Sequence, residues 1–382
     1  MTDYLLEIPD VVGAALRVSA LAAEHATNAE LNRRLEPTVA DAIVSGGFAR
    51  HFVPERHGGT AGTFTDYVRA IAAVGEGDPS AAWVASIAAT LGRMCAYLPV
   101  EGQRELWAEG PDQFIVGALM PGGQATPVDG GWQISGEWPY MSGIDFSDWA
   151  LVCCAPDRGD RSEVRFFVIP RSSYASEETW FTVGMRGTGS NTIVVENIVV
   201  PNHRTFTRDE LVAGRAPGAD AACHQVPLKA VNGLSFAAPI LGAARGALAL
   251  WTASVREKAA VPSANRIQAG AGVSSQLVLA RVAGEIDAAA LLLERVAAQA
   301  DSTIASELDV ARAQRDCALA VDVLVGAVNQ LFRTSGTRAQ SETGAFQRFW
   351  RDANAAGGHA VLQFEPAAQA YAGLVLDKGA PA

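Results

Sequence analysis

The sequence predicts an α+β protein in which a helical N-terminal domain, a central antiparallel β-barrel or sandwich and a C-terminal helical bundle follow one another along the chain. Three observations carry this expectation. Apolar residues recur at helical steps up to about residue 110. Short runs rich in β-branched and aromatic residues, separated by turn residues, then take over until about residue 205. From about residue 228 the helical spacing returns over long stretches. The implied domains are 1–112, 113–226 and 227–382.

In the first region Leu35, Val39 and Ile43 form one stripe, and Tyr67, Ile71 and Val74 another. Asp78-Pro79-Ser80 reads as a helix start, because an aspartate caps free amides and a proline fits the first turn. The apolar run from Ala81 to Leu98 then predicts a helix buried nearly all round. In the second region Phe114-Ile115-Val116, Trp149 to Cys154, Val164 to Ile169 and Thr192 to Val200 read as strands. Pro121-Gly122-Gly123, Asp129-Gly130-Gly131 and Asp157 to Asp160 read as the turns between them. In the third, Val278, Val282, Ile286, Ala289, Leu293 and Val296 make the seam of an antiparallel bundle helix. Ser306 with Asp309 predicts a capping box opening the next helix, to about Leu331. One last helix is expected over roughly Ala345 to Leu374, and Leu211 to Pro227 as a flexible lid or connector.

Composition and missing motifs exclude several functions. The chain has a formal net charge of -11 and a sequence pI near 5.1, the opposite of a phosphate-binding surface, so no nucleic acid is expected. The five cysteines match neither a zinc ribbon nor a Cys-x-x-Cys pair, and are expected as reduced thiols in a cytoplasmic protein; no metal is expected. The N-terminus lacks the basic-then-apolar pattern of a secretion signal, and Ala81 to Gly92 is too short to span a membrane. Gly184-Met185-Arg186-Gly187-Thr188-Gly189 has the wrong spacing for a dinucleotide fingerprint and precedes a strand. Electrons for any redox chemistry must then come from elsewhere.

Four segments in order carry a resemblance. They are Phe52 to Gly59; Gly131 to Gly143 with Ser147-Asp148-Trp149; Gly184 to Ser190 ahead of Val194 to Pro201; and Gln347 to Asp352 followed by His359. Over nearly its whole length the chain resembles the two-component flavin-dependent monooxygenases of the acyl-CoA dehydrogenase fold. The resemblance implies a C-terminal four-helix bundle and a homotetramer. Reduced FMN or FAD, delivered by a separate NAD(P)H:flavin reductase, would lie between β domain and bundle and react with O2 through a C4a-hydroperoxide. Such a site must exclude water and offer a hydrogen bond near flavin N5. An aromatic or heteroaromatic small molecule would be hydroxylated, with N- or S-oxygenation as an alternative.

The resemblance assigns Ser142 to the N5 contact and His359, on the last helix, to acid/base chemistry: a neutral imidazole taking a phenolic proton. Trp138, Tyr140, Met141 and Gly143 would accompany Ser142 at the flavin, with backbone amides there meeting its polar edge. Arg186, Gly187, Thr188, Gly189 and Ser190 form a second cofactor stretch, where glycines permit close approach and hydroxyls can bond. Arg266 with Gln276, and Arg338, are candidate flavin phosphate holders. Trp83, Tyr97, Phe236 and Phe364 are expected to line the substrate pocket, and Arg351 with Asp352 to form a structural pair or flavin contact.

Two positions depart from relatives of the fold. Where acyl-CoA dehydrogenases carry a catalytic glutamate, counting back from Gln347-Arg348 gives Ser341, with Glu342 one residue off. That disfavours the dehydrogenase or oxidase alternative, which would need Glu342 as a displaced base. Where several phenol hydroxylases of the family place a histidine after Ala-Ala-Trp, counting from Ala81-Ala82-Trp83 gives Leu91.

Overall fold

The computed structural model describes residues 10–156, 164–219, 221–260, 269–302 and 306–377, with backbone only at 260 and 269–273. Five helices open the fold: α1 (Val11–Asn32), α2 (Pro37–Ser45), α3 (Phe64–Gly77), α4 (Pro79–Cys95) and α5 (Val100–Leu106). The predicted start at residue 78 is present. The Asp78 carboxylate accepts from the Ala81 amide at 2.8 Å, and Pro79 occupies the first turn. Helix α4 is buried on almost every side, as its mostly small and apolar sequence requires, and Arg93 within it is buried too.

Among the described residues seven strands follow: β1 (Ile115–Val128), β2 (Gly131–Met141), β3 (Trp149–Pro156), β4 (Arg165–Pro170), β5 (Ala175–Glu177), β6 (Asn191–Pro201) and β7 (Thr205–Thr207). They form one sheet in the order β5-β6-β2-β1-β3-β4-β7. The expectation of a purely antiparallel sheet needs correction, because β1 and β3 pair in parallel. Strand β2 returns along one side of β1, and residues 142–148 then cross the start of β1. Strand β3 therefore sets off beside Ile115 in the direction of β1, with β2 inside the crossover that parallel pairing demands. Two bonds lock the crossing: Asp148 N–H donates to the Phe114 carbonyl at 2.9 Å, and Phe114 N–H to Asp148 Oδ2 at 2.8 Å.

A second correction concerns Pro121-Gly122-Gly123, which lies inside the 14-residue β1 rather than in a turn. The glycines are there for Trp138. A Cβ on Gly122 would stand 2.7 Å from the Trp138 ring, and one on Gly123 2.4 Å. The indole lies over this bare stretch and donates to the Cys153 carbonyl at 2.7 Å.

The C-terminal bundle consists of α7 (Leu228–Ala260), α8 (Ala269–Ser302), α9 (Glu307–Ser335), α10 (Ala345–Gly357) and α11 (Phe364–Leu376), after a short α6 (Arg208–Ala213). Both halves of the predicted capping box at Ser306 and Asp309 are formed. The seam of α8 is buried from Val282 through Val296. Helix α7 crosses α3 closely because glycines meet there: a Cβ on Gly242 would stand 2.3 Å from the Ala72 carbonyl. Over 228–259 and Glu307–Ser335 the chain is long and apolar enough to cross a membrane by composition, and both helices pack in the bundle. The single last helix expected over 345–374 is two helices: Gly357-Gly358 stop α10, and His359 caps a 3₁₀ turn, Ala360–Leu362, ahead of α11.

The expected lid is a docked connector. Arg93 Nε donates to the Cys223 carbonyl at 2.6 Å, Tyr97 Oη to the His224 carbonyl at 2.8 Å, and the buried His224 ring bonds the Phe52 carbonyl. One hydrophobic core runs through the first helices, the sheet and the bundle.

Candidate active site

Five pieces of chain build the cluster around Ser142. The crossing after β2 supplies Ser142 and Gly143, the latter at φ +77°, where glycine is favoured. Helix α4 brings Trp83, the loop before β6 brings Thr188 and Ser190, and α7 with the turn after α10 brings Phe236 and His359. Trp83 is the hinge of the group. Its Nε1–H donates to Ser142 Oγ at 3.1 Å. Its ring lies 5.1 Å from Phe236 and 5.8 Å from His359, while Phe236 and His359 stack at 3.9 Å. Ser142 and His359 thus belong to one cluster at the junction of the helices, the sheet and the bundle.

Behind Ser142 runs a chain of hydroxyls. Ser142 Oγ and Ser190 Oγ are 2.8 Å apart, and Ser190 Oγ and Thr188 Oγ1 are 2.6 Å apart. Thr188 Oγ1 donates to the Met185 carbonyl at 2.9 Å. The Trp180 indole, at 2.9 Å, and the Thr188 amide donate to that same carbonyl. Met185 sits at φ 54°, an unusual place for a side chain, held there by its amide donating to Asp352 Oδ1 at 2.6 Å. Asp352 is fully buried, its Oδ2 has no partner among the described residues, and burial pushes its carboxyl up to about 7. Asp352 and Arg351 are therefore not a pair. Arg351 bonds Gln347 and, at 2.7 Å, Glu30, which also holds Arg186 at 3.1 Å.

His359 Nδ1 accepts from the Val361 amide at 3.3 Å, which leaves the proton of the neutral ring on Nε2. Burial against Phe236 and Trp83 brings its pKa down to about 4. In this tautomer the ring offers Nε2–H as a hydrogen-bond donor, and burial keeps it neutral at pH 7.

The remaining sequence-assigned residues divide clearly. Tyr140, two residues before Ser142, is 71% exposed at φ 67° and stands edge-on to Trp180 at 6.1 Å. Met141 is buried. Trp138 is fully buried under β1 and has no surface for a ligand. Tyr97 lies in a separate core cluster with Phe206, away from Trp83 and Phe236. The Ser142 and Gly143 amides are used within the chain, by the Tyr140 and Thr188 carbonyls, so they are not free for a flavin edge. Gly187 packs on Ser80, and Gly189, at φ +56°, turns beside Asp145. Phe364 is 39% exposed at the start of α11. Gln276 is exposed on α8, Arg338 is exposed in the 3₁₀ turn Thr337–Gln340, and Arg266 lies outside the described residues. Sequence reasoning missed Met185 and Asp352 as the anchor of this loop. It also missed the Trp83–Ser142 bond, for no spacing signals a contact between residues so far apart.

The donor and acceptor set suits a reduced flavin. Ser142 Oγ, bonded to Trp83 and Ser190, lies in a mostly dry cluster, Tyr140 two residues earlier exposes its ring, and Arg33 and Arg34 border a cavity of about 60 Å³ shared with Asp145 and Asn191.

Known proteins resemble this chain over most of its length. Residues 234–364 match the family model for the acyl-CoA dehydrogenase C-terminal domain. The chain is 30% identical over 374 residues to the oxygenase component of the FADH(2)-dependent resorcinol hydroxylase of Rhizobium sp. (strain MTP-10005), covering 93% of this chain and 91% of that one. It is 33% identical over 343 residues to the flavin-dependent monooxygenase oxygenase subunit HsaA of Mycobacterium tuberculosis, covering 86% of each. The crystal structure of 3-HSA hydroxylase from Rhodococcus sp. RHA1 superposes with a TM-score of 0.90 at 28% identity, over 98% of both chains. By its identity to these relatives over most of its length and by its helix–sheet–bundle order, the chain belongs to the oxygenase components of the two-component flavin-dependent monooxygenases built on the acyl-CoA dehydrogenase fold.

Proposed function

We propose that this chain takes up reduced FMN or FAD from a separate NAD(P)H:flavin reductase and uses O2 to hydroxylate an aromatic or heteroaromatic small molecule. The bound reduced flavin supplies two electrons and activates O2. One oxygen atom enters the substrate as hydroxyl, the other leaves as water, and the flavin leaves oxidised. The observation that carries this reading is the junction at Trp83, which joins Ser142 to the His359–Phe236 stack. Ser142 and Tyr140 hold the flavin ring, and Trp83, Phe236 and His359 face the substrate. Neutral His359 donates Nε2–H to a substrate or flavin oxygen, and the buried aromatic surroundings exclude water.

Glu342 supports no dehydrogenase reading: it is exposed ahead of α10, where its carbonyl accepts from the Gln347 side chain. The relatives named above act on resorcinol and, by its printed name, 3-HSA, which supports a phenolic or similar aromatic substrate. The assembly is a homotetramer. The exposed Leu277, Leu291 and Leu376 on bundle helices support burial against other copies. Five free, buried cysteines support a reducing, cytoplasmic setting.

The test supplies the chain with chemically reduced flavin and labelled O2, without nicotinamide, across a panel of phenols, indoles and polycyclic aromatics. The reading expects one labelled oxygen in a product. Anaerobic reduction of bound oxidised flavin by an acyl-CoA, with no labelled product from any aromatic, would replace it with the dehydrogenase reading.

A further inference from the structure

From the hydroxyl chain behind Ser142 we infer that Thr188 and Ser190 fix the hydrogen-bond polarity of Ser142, so that it meets a ligand only as an acceptor and selects reduced over oxidised flavin. The inference rests on the reading of Ser142 as the contact to flavin N5, and explains what that contact discriminates.

Three close oxygen–oxygen contacts lie in a row: Ser142 to Ser190 at 2.8 Å, Ser190 to Thr188 at 2.6 Å and Thr188 to the Met185 carbonyl at 2.9 Å. Each contact needs a proton between its oxygens, or two sets of lone pairs face each other. Three hydroxyls supply three protons, and a carbonyl supplies none. All three contacts are satisfied only when every hydroxyl points toward Met185. Thr188 gives its proton to the carbonyl, Ser190 to Thr188, and Ser142 to Ser190. Were Ser142 to turn its proton toward a ligand, one contact would lose its proton among groups almost without access to water.

The ends of the chain enforce this direction. At one end Met185 is immobilised through Asp352 on its amide and Trp180 on its carbonyl, so the terminal acceptor stays in place. At the other end the Trp83 indole, which can only donate, occupies one lone pair of Ser142. What remains to Ser142 is one lone pair. Reduced flavin carries a hydrogen on N5 and meets that lone pair with a donor. Oxidised flavin carries a bare lone pair on N5 and meets it with repulsion. Thr188 and Ser190 are thus positioning residues that act through Ser142, and release of the flavin after oxidation follows from the same polarity.

The test measures binding of reduced and oxidised FMN and FAD to the full-length chain by anaerobic calorimetry. The wild type is expected to bind the reduced form at least about tenfold tighter, the worth of one hydrogen bond. Ser190→Ala deprives the Ser142 proton of its acceptor and lets it turn outward. Thr188→Val lets Ser190 donate to Ser142, with the same result. In both variants the reduced-to-oxidised preference should fall about tenfold, mainly by tighter binding of oxidised flavin, while Thr188→Ser keeps the wild-type preference. A purely structural role would weaken both forms together and leave the preference unchanged. If Ser142→Ala abolishes the preference but either Ser190→Ala or Thr188→Val retains it, the polarity inference is overturned while the N5 contact stands. If Ser142→Ala itself retains the preference, the N5 contact fails and the inference falls with it. Should one of the two relay variants not fold, the other decides.

Discussion

Asp352 is a buried carboxyl group with one oxygen at work and one without a partner among the described residues. Burial raises its pKa from an ordinary carboxyl value of roughly 3.9 to about 7, with Asp78 and Glu30 pushing the same way and Arg351 opposing them. The folded chain therefore holds this proton more tightly than the unfolded chain. Its contribution is present in full below pH of about 4 and is lost as pH rises toward about 7. Asp352→Asn keeps an acceptor for the Met185 amide and never ionises. Its Tm relative to the wild type should rise between those pH values and level off above them; a difference independent of pH would contradict this assignment. Asp352→Ala removes the acceptor and should cost roughly 1–3 kcal/mol at every pH, because the Met185 amide is left unpaired. Little of this residue-scale detail was legible in the sequence. Ser142 and His359 were found through the segments around them. Asp352 stood next to Arg351 and looked like its partner, whereas the backbone turns it toward Met185.

At the scale of elements, strand β1 and Trp138 are one unit. The indole needs bare backbone at Gly122 and Gly123, and a Cβ on Gly136 would stand 2.4 Å from the Gly123 Cα. Gly123→Ala should therefore destabilise the fold by about 1–3 kcal/mol through overpacking, read as a lower midpoint in urea unfolding. An unchanged midpoint would show that Trp138 has room to move. The glycines misled the sequence reading, since Pro-Gly-Gly signals a turn locally and only the tertiary partner makes it a strand interior. The parallel pairing of β1 with β3 escaped for a similar reason: a seven-residue crossing over a strand end looks like any hairpin connection. By contrast the starts of α4 and α9 were legible, because Asp78 and Ser306 cap their own helices and need no distant partner. The split of the last helix is also local in origin, and Gly357-Gly358 carried its signal. That break places His359 at a turn, where its Nδ1 is engaged and its Nε2–H points away as a donor.

Across the whole molecule, the order of helices, sheet and bundle was legible because it rests on periodicity over long stretches, which local exceptions do not erase. The architecture then does something no single region can. The N-terminal helices supply Trp83, the sheet supplies Ser142, the loop before β6 supplies the hydroxyls that orient it, and the bundle supplies Phe236 and His359. Contacts between regions were the part that sequence reasoning could not reach: Trp138 and Tyr97 are aromatic and near the right motifs, yet both are spent on the core.

The central claim is that this junction shelters reduced flavin, with Ser142 at N5, while oxygen reacts. Stopped-flow mixing of O2 with the anaerobic complex of chain and reduced flavin tests it most directly, with flavin absorbance and released hydrogen peroxide followed together. The account predicts that flavin reoxidation in the complex lags well behind that of free flavin. It predicts that Ser142→Ala shortens the lag by about tenfold and diverts oxygen to peroxide. Reoxidation of the wild-type complex at the free-flavin rate, or an unchanged lag in the serine variant, would contradict it.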